Sequence, residues 1–150
     1  MDIADDKYPL RAPNGRPFVC YNKSMSHTFI IDGNNFTTLE GFYEEFSSAV
    51  LPGISWGKNL DAFDDVLYGG FGELAGGDTI IWKNSQRSRE QLGYRETVRQ
   101  LERQLQSAHP SSHESILLAI ELAKNIKGET VFNWLQEIIT EHPELQIRFE

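Results

Sequence analysis

The stretch "SWGKNLDAFDDVL", residues 55–67, places three aspartates, Asp61, Asp64 and Asp65, within five positions of one another. On a helix, side chains three and four apart are neighbours, and like charges so placed repel by roughly a few tenths of a kcal/mol per pair. Neighbouring carboxylates can do three kinds of chemistry. They can divide the roles of general acid and base, they can hold a divalent cation, or they can face a basic partner. Asp61 and Asp65, at i and i+4, are the pair that would serve the first two. No third ligand stands nearby and no cleft is visible around an exposed amphipathic helix, so a carboxylate-based hydrolase or metal protein is the weakest of the three readings.

The other reactive residues form no set. His27, His109, His113 and His142 are scattered near element ends, without a His-Glu-x-x-His spacing, and read as solvated or capping groups. Cys20 is the single cysteine, so no intramolecular disulfide can form, and no histidine adjoins it. There is no Gly-x-Ser-x-Gly elbow. "YGGFGELAGGD" (68–78) holds five glycines, but it lacks the Gly-Lys-Ser/Thr ending of a phosphate-binding loop and reads as a turn-rich connection. No catalytic residue, metal ligand or cofactor is expected.

The elements that must carry the aspartates follow from apolar periodicity. "HTFIIDG" predicts a short strand stopped at Gly33. "TTLEGFYEEFSSAVLPG" predicts a helix opened by a Thr37/Glu40 capping box, with Leu39, Phe42, Tyr43, Phe46 and Val50 on one stripe and Pro52-Gly53 as its stop. Asn59 is placed to cap the next helix, which puts Asp61 in its first turn, where the helix dipole favours an anion. Leu60, Phe63, Val66 and Leu67 form the inward face of that helix. The aspartates then project toward solvent or a partner, with Asp64 and Asp65 beyond the dipole's useful range.

"TIIWKN" (79–84) predicts a second strand, and "SQRSREQLG" a short helix that Ser85 or Ser88 can cap. "YRETVRQLERQLQSAH" and "SSHESILLAIELAKNIKG" predict two further helices, the second starting from a Ser111/Glu114 box. Its Ile116, Ile120 and Ala123, flanked by Leu117, Leu118 and Leu122, give a wide apolar face. Such a face is expected to be core, or else a contact with another protein. "ETVFNWLQEIITEHP" and "LQIRFE" predict a last helix and a third strand. The whole predicts an α/β fold with a small, three-stranded, mostly parallel sheet packed by helices. An irregular arm precedes it over residues 1–27, with Phe18 and Val19 as its apolar residues; 28–150 reads as a single domain.

At 150 residues, 39% hydrophobic and 24% charged, the chain can bury one core. Its 22 acidic and 14 basic residues give a net charge of −8, which argues against nucleic acid or an anionic membrane as partner. The same charge would accelerate the approach of a basic protein. The first residues, "MDIADDKYPLRAPNGRP", are acidic and broken by prolines rather than apolar, and no apolar run approaches a membrane span. A cytoplasmic location is the expectation.

The segment "WGKNLDAFDDVL" resembles the barstar family: an aromatic, Gly, any residue, Asn-Leu-Asp-Ala, an apolar residue, any residue, Asp, then apolar residues. Trp56, Gly57, Asn59, Leu60, Asp61, Ala62, Phe63, Asp65 and Leu67 carry that pattern. "FIIDG", the Leu51-Pro52 helix end, the "TIIW" strand and "GETVFNWLQE" agree in order. The resemblance covers about 28–93 and 128–150 and leaves about 94–128 as helices inserted before the last helix and strand. It implies a barstar-like three-stranded parallel fold and an intracellular inhibitor, an antitoxin or immunity protein, of a basic ribonuclease. The loop and helix of 55–65 would enter the target's active site as a phosphate mimic. Trp56, Gly57, Asn59, Asp61, Asp64 and Asp65 are then the expected partner contacts, with Glu129 a flanking acid.

The sequence also departs from the pattern. Ser55 replaces a second aromatic, Lys58 an acid and Asp64 a large aromatic before the key aspartate, and one residue is added between Pro52 and Gly57. Lost aromatic anchors mean lost hot spots. The alternative is a non-inhibitory interaction module that uses the 94–128 helices. The sequence sets no oligomeric state.

Overall fold

The computed structural model describes residues 26–150. The arm expected over 1–27, with Phe18, Val19 and Cys20, lies outside the described residues except for Ser26 and His27. Three strands, β1 (Thr28–Asp32), β2 (Thr79–Lys83) and β3 (Gln146–Phe149), form one parallel sheet in the order β1-β2-β3. Ile31 lies opposite Trp82, and Trp82 opposite Phe149. Six α-helices connect the strands: α1 (Leu39–Val50), α2 (Leu60–Leu67), α3 (Ser85–Gln91), α4 (Tyr94–Ser107), α5 (His113–Lys124) and α6 (Val131–Thr140). The expected α/β architecture is present, and among the described residues no helix is long and apolar enough to cross a membrane.

The core is aromatic. Trp82, in the central strand and fully buried, stacks on Phe42 of α1 with ring centroids 5.1 Å apart and meets Phe132 of α6 edge-on. Phe42, Phe46 and Phe63 are buried to within 1% and pack T-shaped or stacked on one another. Pairs of this kind add about 0.5–1.5 kcal/mol beyond their area. The stripe Leu39, Phe42, Tyr43, Phe46 and Val50 is therefore the inward face of α1, as its spacing predicts.

Three helix starts differ from expectation. The cap of α1 is Thr38, one residue later than predicted, its side chain accepting from the Gly41 N–H. α3 is entered through Asn84 in a left-handed conformation, φ 54°, with no side-chain cap; Ser85 and Ser88 are both inside the helix. Ser88 is instead fully buried, and its Oγ accepts from Trp82 Nε1 at 2.9 Å. The same hydroxyl comes so close to Gly33 that a Cβ there would lie 2.3 Å from it. α5 begins after a 3-10 turn over Pro110–Ser112, in which the His109 ring, rather than a Ser111/Glu114 box, accepts from the Ser111 N–H.

α4 and α5 form a hairpin with its own small core of Leu101, Ile116 and Ile120, bordered by Val98, Leu105 and Trp134. Polar bonds join it to the main body. The buried Glu96 carboxylate accepts from the Leu39 N–H at the start of α1 at 2.9 Å, and Thr97 Oγ1 accepts from the Val131 N–H at the start of α6, also at 2.9 Å. Arg99 and Arg103 both ion-pair with Glu40. The expected burial of the wide α5 face is only half correct. Ile116, Ile120 and Ala123 are inside, whereas Leu117, Leu118 and Leu122 are 53%, 61% and 40% exposed, because a helix at the edge of a two-helix layer has one covered side.

Candidate functional site

The loop 51–59 and α2 carry the residues in question. Asn59, in extended conformation, caps α2 as expected, its Oδ1 accepting from the Ala62 N–H at 2.7 Å. Phe63, Val66 and Leu67 turn into the core, and Leu60 is partly buried against it. That burial fixes the helix's rotation, and with it the direction of each aspartate. Asp61 and Asp65 are exposed on one face, and among the described residues neither carboxylate has a hydrogen-bond or ion-pair partner. Gly57 and Asn59 are exposed beside them.

Asp64 has a different fate. Its Oδ1 lies 2.6 Å from Nε2 of His142, a ring only 2% exposed. Glu144 reaches the other ring nitrogen at 3.6 Å, and Tyr68 meets the imidazole edge-to-face with centroids 5.0 Å apart. Asp64 thus bonds within its own chain through Oδ1, tying α2 to the segment that leads into β3, while its side chain stays 37% exposed. The reading of His142 as a solvated or capping residue is corrected, since its ring is buried against Asp64. The two stand 78 residues apart in the chain, so local pattern carries no trace of the pair.

Trp56, expected as a partner contact, is placed in the core. It is 8% exposed, packs edge-on against Tyr43 and Phe46, and donates its Nε1–H to Ser47 Oγ. The indole is part of the core under the loop, together with Leu51 and the partly buried Ile54. Lys58 adopts a left-handed φ of 52° and pairs with Glu44 at 2.9 Å, so its charge is drawn back toward α1 and away from the aspartates.

Glu129 is exposed in the α5–α6 connection, beside a cavity of about 220 Å³ bordered by Leu122, Lys127 and Trp134. A larger groove of about 540 Å³ runs beside Asp61, and Trp134 is the one residue lining both. The structure therefore brings Asp61 and Asp65 together on one face, ties the half-exposed Asp64 to His142, packs Trp56 into the core, and leaves Glu129 exposed in the α5–α6 connection. Among the described residues no group of three or more His, Cys, Asp or Glu is placed to hold a metal ion.

The sequence reading missed the polar cluster behind the groove. Burial would raise the Glu40 carboxyl, but hydrogen bonds from Gln100 and Arg99 outweigh it and hold the pKa at about 2. Glu96 is lowered for the same reason: the bond from Arg99 and others from Gln100 and the Leu39 N–H overcome its desolvation. Its one sequence signal was the Glu96/Arg99/Gln100 spacing on α4, which marks a shared helix face but does not say that Glu40 of α1 joins it.

A family model described as Barstar (barnase inhibitor) matches residues 26–126, about two thirds of the chain. The match takes in most of the 94–128 segment, which the sequence reading sets outside the resemblance, and ends before α6 and β3, which that reading includes. None of the curated proteins matches the chain.

Proposed function

The chain belongs to the barstar family, and from that premise we propose that it inhibits a basic ribonuclease or related toxin stoichiometrically, without catalysis. The observation that carries the reading is the pair Asp61 and Asp65, exposed four residues apart on one face of α2 with no bonding partner among the described residues. Two exposed carboxylates on one helix face resemble successive phosphates of an RNA strand. The Arg, Lys and His groups that line a nuclease cleft would pair with them as with substrate. Asn59 fixes the helix start, and Gly57 leaves room for close approach. Glu129 is a flanking acid. The net charge of −8 would speed encounter with a basic target and make it salt-sensitive. A cytoplasmic site of action, with neither nucleic acid nor membrane as partner, completes the reading.

The test is titration against a panel of small basic microbial ribonucleases, following RNA cleavage at low and physiological salt. Inhibition should saturate at one to one. Asp65→Ala should weaken it at least about thirtyfold, the effect of losing a hot-spot contact of about 2 kcal/mol. Full inhibition by Asp65→Ala would remove the phosphate-mimic mechanism. A second reading, a non-inhibitory interaction module, draws on the exposed Leu117, Leu118 and Leu122 of α5. It requires that Leu118→Asp abolish partner capture while an Asp61/Asp65 double substitution leaves it intact.

A further inference from the structure

The outer face of α5 is apolar where a helix turned to water is ordinarily polar. Ile116, Ile120 and Ala123 point into the hairpin core, and a step of about 100° per residue then sends Leu118 almost directly away from it. Glu114, Glu121 and Leu122 lie around Leu118 on that outer side, with Leu117 at its edge. Ile126, just past the helix end, is 71% exposed. Single exposed leucines are ordinary, whereas four large apolar residues within 117–126 make a patch of the kind that marks an interaction site.

Ile126 is the sharpest sign. The end of α5 is closed by the Lys127 N–H donating back to the Leu122 carbonyl and the Ile126 N–H donating to that of Ala123. Residue 126 takes a left-handed conformation in that closure, φ 59°. The position favours glycine, since a β-branched side chain there crowds its own backbone. Yet the Ile126 side chain is exposed and belongs to neither apolar core, so no burial offsets the strain. A strained and exposed isoleucine points to a role outside the fold of its own chain.

The order of charges says what covers the patch. Glu114 stands exposed in the first turn of α5, and Lys124 and Lys127 stand exposed at its other end. Among the described residues none of the three forms an ion pair, while Glu121, nearer the middle, accepts from Asn125 Nδ2. A second copy of α5, laid antiparallel across a two-fold axis, brings its basic end to the acidic start of the first, and the axis repeats that pairing at the other end. The two helix dipoles then also lie with unlike ends together. A parallel pairing would set Glu114 against Glu114 and Lys124 against Lys124, and a partner of uniform sign would be repelled at one end. We propose that the outer face of α5 is a homodimer interface, in which two copies pair antiparallel about Leu118 and Leu122. None of these residues belongs to the contacts expected of α2 and its loop, so the proposal stands apart from the inhibitor reading.

The test is sedimentation equilibrium of the full chain. A face formed by one helix sits at the small end of interfaces, so a dissociation constant on the order of 100 μM is expected, and loading should span about a tenth of that value to ten times it. Leu118→Glu should leave a monomer throughout, with an unchanged circular-dichroism spectrum because Leu118 is exposed. Lys124→Glu should weaken the dimer about tenfold, since two symmetry-related attractions become repulsions. Adding Glu114→Lys to it restores the complementary order and should recover most of that loss. Ile126→Gly carries opposite signs: it should raise the melting temperature of the dilute monomer by relieving the strain, and weaken the dimer about threefold. A chain monomeric over the whole range, a dimer indifferent to Leu118→Glu, or a charge exchange that recovers nothing would overturn the proposal. A melting temperature lowered by Ile126→Gly would do the same, since Ile126 would then serve its own fold.

Discussion

The sheet with α1, α2 and α6 and the α4–α5 hairpin are held by different means. The first buries a continuous set of aromatic rings, with Phe42, Phe46, Phe63, Trp82 and Phe132 all 1% exposed or less. The second buries three aliphatic side chains and depends on bonds that cross to its neighbours: Glu96 to the start of α1, Thr97 to the start of α6, and Arg99 and Arg103 to Glu40. Apolar burial neither titrates nor is screened by salt, whereas a charged network does both. The site lies across this boundary, with α2 on the aromatic body and the far wall of the groove on the hairpin.

The largest test of that contrast is Phe42→Ala against Ile120→Ala. Loss of the Phe42 ring should cost about 3–5 kcal/mol, and loss of the Ile120 side chain about 2 kcal/mol, the low end for an aliphatic truncation beside a thin core. Denaturant unfolding would measure both. Equal costs would mean that the hairpin shares the main core. Next in size is Thr97→Val, which keeps the shape but leaves the buried Val131 N–H without its acceptor. A loss of about 1–3 kcal/mol is expected in the same measurement.

Asp64→Ala should lower stability by a similar or smaller amount, about 1–2 kcal/mol, because it strips the buried His142 of its closest partner. Asp65→Ala should leave the melting temperature nearly unchanged, and a fall equal to that of Asp64→Ala would show that both aspartates serve the fold. The smallest effect concerns pH. A carboxyl held below its ordinary value binds its proton less readily in the folded chain than in the unfolded one. The stability conferred by Glu40 is therefore whole above about pH 4.5 and is lost as pH falls toward about 2. Since Glu40 is 45% exposed, screening reduces this to roughly 1 kcal/mol or less. Thermal melts between those limits should fall more steeply for the native chain than for Glu40→Gln.

Much of the fold was legible because it is periodic. Strand lengths, the stripe of α1, the Asn59 cap and the inward face of α2 rest on contacts within a few residues, and local spacing records them. Cap positions were less secure where two candidates adjoin: Thr37 and Thr38 both suit the start of α1, and the entry angle of the chain chose Thr38. Ser85 and Ser88 read as caps for want of any sign that Ser88 faces Trp82 across the sheet–helix layer. Within the site, the pairing of Asp61 with Asp65 on one face was legible, and the tie of Asp64 to His142 was not.

The sequence by itself determined an acidic α/β chain with three short strands, a capped helix rich in aspartate and a wide apolar stripe on α5, since each follows from residue type and spacing alone. Only the tertiary structure decided that Asp64 bonds His142, that Trp56 belongs to the core, that Leu117 and Leu118 remain outside, and that Tyr43, Asp61 and Trp134 border one groove. The physical reason is distance along the chain. A periodicity fixes which way a side chain leaves its own helix, but what it meets there is set by how separate elements pack, and residues as far apart as 64 and 142 become neighbours only when the sheet closes.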